Sequence, residues 1–326
     1  MSSRRQILTL GAAAIGAPFA LPSFAQGFPS RAVRIVVPFG PGGVADLTAR
    51  TVGQKLAEKL GQAVVVENKP GAGGVTAGDM VVHAEPDGHT LLLMSNGTAV
   101  SAGLFRKLPF DAEKDFAPVS LLGTFDMGVV VPDNSRFRTL QDLLAAARAA
   151  PGKLNVATIN VGSTQNLAAE LFRTTAGIDV QVVPFNGTPA VVTALRAGQV
   201  DAAVEILGPI KGQITSRALR VLATMGASRS PGMDDVPTVS EAGGALKGFD
   251  VASWNALAAP AKTPPAAIQR LNRDVQAVLA DPDTRKKLAE INIQAKSSTP
   301  EQLGKLLSSE IQRWSGVIER AKIPKQ

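Results

Sequence analysis

The run Gly40-Pro41-Gly42-Gly43-Val44-Ala45 has the G-x-G-x-x-A spacing of a dinucleotide-binding turn. It lies between the strand-like Val33–Val37 and a helical pattern, and Glu67 follows the next strand, where an acid can hold a ribose. Pro41 stiffens the turn, however, and no catalytic His or Lys accompanies it. A more general chemistry fits the same residues. Glycine lets the backbone approach a ligand at a helix start, where free N–H groups and roughly half a positive charge hold anions. Four further turns share the layout: Gly71-Ala72-Gly73-Gly74, Ser95-Asn96-Gly97-Thr98, Gly162-Ser163-Thr164 and Asn186-Gly187-Thr188. Any one alone reads as an ordinary strand-to-helix turn. Taken together, and drawn from two halves of the chain, they predict helix N-termini and hydroxyls facing one cleft, because such loops gather at the carboxyl ends of the strands in open α/β sheets.

Other reactive side chains are sparse. Cys is absent, which removes disulfides, thiolate nucleophiles and cysteine zinc sites. Tyr is absent too, and His83 and His89 are the only histidines. His83 ends an apolar helical run and His89 precedes the strand Thr90–Leu93, so neither suggests a triad or a metal site. There is no GxxxxGK[ST] loop and no G-x-S-x-G elbow. Asp234-Asp235 and the pair Asp281 and Asp283 sit in polar, proline-flanked loops and read as turn and cap residues. Asp46 lies in the first turn of a helix, where the dipole favours an acid without any ligand. Glu205 ends the strand Ala202-Ala203-Val204 at the expected cleft. It reads either as a solvated strand-end acid or as an acceptor for a ligand amine or hydroxyl. No catalytic residue, metal or cofactor is assigned.

These turns need elements to position them. Strands at Val33–Val37, Val64–Val66 and Leu91–Met94 each lead through a turn into a helical stretch, and a second series runs from Val129 to Ala223. Short β-branched runs alternating with longer helical patterns predict an α/β protein with mainly parallel sheets flanked by helices. Beyond Pro231 the chain turns helical, with prolines opening helices at Pro264, Pro282 and Pro300. Helices without a sheet of their own should pack back on the first lobe. The expected division is 26–124 with 225–326 for one lobe and 125–224 for the other, two crossings as in a hinged clamp.

Residues 1–25 have the form of a signal peptide: Arg4-Arg5, a short apolar middle, then Ser23 and Ala25 before a cleavage point after Ala25. The paired arginines lean towards twin-arginine export. The apolar run is shorter than the roughly 20 residues that span a bilayer. An exported protein has no easy access to a nicotinamide cofactor, which weighs against the dinucleotide reading. Losing Arg4 and Arg5 takes the formal charge from +7 to near +5. The basic residues are scattered rather than striped, so no nucleic acid is expected, and a mild positive field suits a small anion. Twelve Phe, two Trp and no Tyr leave few aromatic platforms for a sugar.

Several longer stretches resemble one family over nearly the whole mature chain. They are Pro29–Gly43 with Asp46, Val66–Gly74, Pro86–Leu92, Leu108–Asp111 with Lys114–Val119, and Asp235–Gly243. In order and spacing they are similar to the Bug-type extracytoplasmic solute receptors of tripartite tricarboxylate transporters. The resemblance implies a two-lobed periplasmic-binding-protein (Venus flytrap) architecture that closes on a small carboxylate, acts as a monomer and serves membrane permease subunits. It implies that the first-lobe loops face one end of the ligand, partly through ordered water, and that a second-lobe Ser/Thr loop holds a carboxylate. The corresponding positions are Phe39, Gly42, Gly43, Gly73, Gly74, Ser95, Ser163, Thr164 and Asn186, and Asn96, Gln165 and Glu205 join them as candidate ligand contacts. The chain departs from the family pattern at Ser163-Thr164-Gln165-Asn166, at Glu205-Ile206 and at Asn186, where a cation is common. Losing a cation and gaining a longer acid suits a monocarboxylate, or a ligand with a donor group, better than a tricarboxylate. An exported enzyme on a small acid and an orphan sensory receptor are the alternatives.

Overall fold

The computed structural model describes residues 27–320 and 322–326; the leader and its cleavage point lie outside them. β1 (Val33–Val37), almost wholly buried, feeds through a glycine turn into α1 (Val44–Leu60), which stops on Gly61 in the left-handed region (φ 67°). β2 (Val64–Asn68), α2 (Val75–Val82), β3 (Thr90–Ser95) and α3 (Asn96–Leu104) repeat that unit. β4 (Phe116–Phe125) then passes, with only Asp126 between, into β5 (Met127–Pro132). The second series is α4 (Leu140–Ala149), β6 (Asn155–Ile159), α5 (Thr164–Ala176), β7 (Gln181–Phe185), α6 (Thr188–Arg196), β8 (Ala202–Ile206), α7 (Lys211–Thr215) and β9 (Leu219–Thr224). Two short 3-10 turns precede β10 (Ser253–Pro260), α8 (Pro265–Ala280), α9 (Pro282–Glu290), β11 (Ile293–Ala295) and α10 (Pro300–Arg320).

Two sheets result, in the orders β11-β4-β10-β3-β1-β2 and β7-β6-β8-β5-β9. β1 runs parallel to β2 and β3, and β6 runs parallel to β7 and β8. The parallel pairing expected of the sheets is confined to these halves, which carry the glycine turns. β10, β11 and β5 pair antiparallel with their neighbours, so both sheets are mixed. The cause is topological: β5 and β10 enter their sheets from the other lobe, and no βαβ crossover dictates their direction. The sequence pattern hides β4, because Pro118 and Gly123 interrupt it. Pro118 is tolerated where the β4–β10 register shifts.

The first crossing falls at Asp126, next to the expected boundary. The second does not fall at 225. The segment that sequence reasoning gave to the first lobe stays on the second sheet: the Thr224 N–H donates to Pro237 O at 2.9 Å, Thr224 bridges Thr238, and Phe249 meets Phe172 of α5 edge-on at 6.3 Å. The open edge of β9 explains this, since its unpaired backbone groups are satisfied by the extended 237–238 run. Met225 N–H donates to Met127 O and Val251 N–H to Met225 O, so the return path leaves beside the outward one. Only at β10 does the chain rejoin the first sheet.

The closing helices pack on the first lobe as expected, α8 against α1 and β4, and α10 against α3 and β4. Trp314 of α10 is buried, and its Nε1–H donates to Asn96 Oδ1 at 2.9 Å and Glu310 Oε2 at 3.0 Å. Trp314→Phe strands the buried Asn96 oxygen and should lower stability in chemical denaturation by about 1–3 kcal/mol. Unaltered stability would show that this bond does not anchor α10.

Candidate functional site

α1, α3, α5 and α6 all begin around one cavity. Gly43, extended at φ −84° and ψ 169°, precedes α1, and no side chain caps that helix. Gly187 at φ 94° precedes α6, again without a side-chain cap. Ser95 Oγ accepts the Gly97 N–H at the start of α3, and Ser163 Oγ accepts the Asn166 N–H at the start of α5. The cavity left between them is small, about 20 Å³. The first lobe contributes Phe39, Gly40, Gly43, Val44, Ala45, Ser95, Phe125, Ser253 and Asn255. The second contributes Ile159, Thr164, Gln165, Gly187, Thr188 and Ile206. None of these side chains is ionisable. Positive potential therefore comes from peptide dipoles, which sum to roughly half a charge at each helix start.

The lobes are shut on one another. Gly73 N–H donates across the gap to Val161 O at 2.8 Å, and the Thr164 and Ser253 hydroxyls meet at 3.2 Å. Gly162 sits at φ +79°, and a Cβ there would stand 2.8 Å from Gly73 Cα. Backbone touches backbone at Gly162, whereas a Cβ on Gly73 (φ +62°) would run into the Phe105 ring and the Ser101 hydroxyl, so both positions require glycine. On the opposite rim Gly42 packs towards Pro189, and Gly40 faces Asn186 and Gly187.

Of the residues singled out from sequence, Phe39, Gly43, Ser95, Thr164 and Gln165 line the cavity. The others have different places. Gly42 is exposed, and its N–H is bound to Asp46 Oδ2 at 3.0 Å, so it shapes the loop. Gly73 and Gly74 line a separate recess with Pro38 and Phe110, and Gly73 makes the interlobe bond. Asn96 is turned into the first lobe against Trp314. The Ser163 hydroxyl is spent on capping α5 and on the Ile159 carbonyl. Asn186 is exposed on the rim. Glu205 is buried one side chain behind the wall, which excludes the solvated strand-end reading. Sequence reasoning missed Ser253 and Asn255, because β10 carries no glycine turn and lies far along the chain. It named the turn containing Thr188 but passed over that residue, although a polar residue opening a helix after Gly187 was the available signal.

Two acids flank the site. Burial pushes the Asp46 carboxyl up, but hydrogen bonds from Arg50 and the Gly42 N–H outweigh this and hold it below its ordinary range. Glu205 behaves oppositely. Burial raises its pKa to about 7, only partly offset by hydrogen bonds from Gln165 Nε2 (3.0 Å) and the Ile206 N–H (2.8 Å). Its Oε2 is buried without a partner.

An interlobe cavity framed by helix N-termini, on two α/β lobes joined by crossing strands, defines a solute receptor of the periplasmic-binding-protein fold. The chain belongs to the tripartite tricarboxylate transporter receptor family, whose model matches residues 48–323. It is 33% identical over 320 residues to Protein BugT of Bordetella pertussis, covering 98% of each chain. Among solved structures it is similar to the periplasmic binding protein BugD, at 28% identity and a TM-score of 0.87, over 92% of this chain and 100% of that one. It is also similar to MatC of Rhodopseudomonas palustris with bound malate, at 34% identity and a TM-score of 0.85, over 89% of this chain and 100% of that one. R. palustris Rpa4515 with adipate shows 31% identity and a TM-score of 0.87, over 91% and 99% of the two chains. This membership is of the Bug type expected from sequence.

Two outcomes follow from the geometry. Gly162→Ala places a methyl group against Gly73 and should hold the lobes apart, giving a larger radius of gyration in small-angle scattering while the circular dichroism stays native. An unchanged radius would show that the rim does not control closure. For Glu205, the folded pKa of about 7 exceeds the ordinary glutamate value of 4.5. Its contribution to stability is therefore fully present at low pH and is lost as pH rises through about 7. Relative to Glu205→Gln, the wild type should lose stability at about 1 kcal/mol per pH unit between about pH 5 and 7 and then level off. Parallel pH profiles for the two proteins would refute the raised pKa.

Proposed function

We propose that this protein is an exported, monomeric receptor that closes on a small organic carboxylate and delivers it to the membrane permease subunits of a tripartite tricarboxylate-type transporter. One observation carries the reading: α1 and α6 open from opposite lobes, without side-chain caps, onto a cavity whose lining has no ionisable side chain. A carboxylate is one small anion that such amides and hydroxyls satisfy without a counter-ion. The malate and adipate bound in similar proteins support an organic acid as the ligand.

In this reading Thr164 and Ser253 turn their hydroxyl protons to the same carboxylate once it parts them. Gly43 and Ser95 contribute amide and hydroxyl groups from the first lobe, while Gln165, Thr188 and Asn255 contact the remainder. Phe39, Phe125, Ile159 and Ile206 exclude water and take the ligand's apolar body. With no His, Cys or carboxylate in the lining, the cleft has no group placed for acid–base or nucleophilic work, and the protein binds without reacting. Family membership supports the permease partner, and the leader supports periplasmic delivery with cleavage after Ala25.

A thermal-shift screen over mono-, di- and tricarboxylates should raise the melting temperature for at least one acid, because a ligand that binds only the folded state stabilises it. For that acid, calorimetry should show Thr164→Ala and Ser253→Ala each weakening binding by about 1–3 kcal/mol. Ser163→Ala should instead cost about 1 kcal/mol of stability through the lost cap. Wild-type affinity in both Thr164→Ala and Ser253→Ala would count against the assigned carboxylate contacts.

A further inference from the structure

We infer that Glu205 sets the charge the cleft accepts, admitting acids with one carboxylate and turning away those that carry a second. The inference rests on the carboxylate-receptor reading. Gln165 and Ile206, which hold Glu205 Oε1, both line the cavity. The carboxyl group thus stands one side chain behind the second-lobe wall. Its other oxygen is buried and unpartnered.

Among the described residues no cation offsets it. β5 and β6, the strands on either side of β8, carry no ionisable residue, and β8 has no other. On α5, Glu170 and Arg173 bond to each other at 2.5 Å well down the helix, and Arg196 is the one ionisable residue of α6, in its last turn. From the first lobe, Asp46 is already bound by Arg50 and the Gly42 N–H. A ligand's first carboxylate takes the positive ends of α1, α5 and α6. A second one, directed at the Gln165 wall, meets a buried acid of like charge with nothing between them to neutralise either. An apolar tail meets Phe125, Ile159 and Ile206 instead.

Two matched pairs isolate the second charge: butyrate against succinate, and hexanoate against adipate. Calorimetry at pH 8, where Glu205 is ionised, should give at least tenfold tighter binding of the monoacid in whichever pair binds. Glu205→Gln keeps the shape and removes the charge, so it should narrow that gap below about threefold by strengthening diacid binding. In the wild type the gap should also narrow on lowering the pH to 6, and this arm stands even if the variant fails to fold. Diacids binding the wild type as tightly as monoacids, or a gap unmoved by both the substitution and pH, would overturn the role of Glu205 and leave the carboxylate reading intact. Binding of no acid in these pairs or in the thermal-shift panel would overturn both.

Discussion

Peptide dipoles, rather than charged side chains, supply the positive potential in this cleft, and that constraint shapes the rest of the molecule. A helix N-terminus acts over little more than its first turn. Several must therefore reach nearly the same point, and they come from two separate sheets. The parallel halves of both sheets meet this need, since each βα turn ends its strand and starts its helix at the same sheet edge. Antiparallel strands do other work. β4 and β5 carry the chain between lobes almost without interruption, and β10 returns beside them. The two crossings are tied by Met225 to Met127 and by Val251 to Met225.

Burial of polar groups follows from the same constraint. Asn255 lies in the wall and donates to Thr48 Oγ1 at 3.1 Å, which fixes its amide. Gln165 is fixed by Glu205 in turn. A side chain oriented from behind presents one hydrogen-bonding group to the cavity, which favours one ligand orientation over others. Glu205 is thus both a brace for the wall and a charge behind it.

Much of the fold was legible because it rests on local signals. β-branched runs ending in glycine, and prolines opening helices, mark the βα units and the closing helices without any knowledge of their partners. β4 was not legible, since Pro118 and Gly123 break its pattern and only pairing with β10 makes it a strand. The 226–250 segment was misplaced because its docking depends on an open β9 edge, a property of the assembled sheet. The site divides the same way. Thr164 and Gln165 follow from their place at a helix start, whereas Ser253 and Asn255 depend on β10 crossing between sheets. Ser163 shows the limit of reading by residue type: its hydroxyl suits a ligand, but its own helix claims it first.

The meeting of Gly73 with Gly162 separates two properties that side chains usually mix. Contact across the rim relies there on main-chain atoms, while the cavity walls are side chains such as Gln165, Thr188 and Ile206. Substitutions in those walls can therefore reshape the cavity while leaving untouched the main-chain rim that Gly73 and Gly162 form.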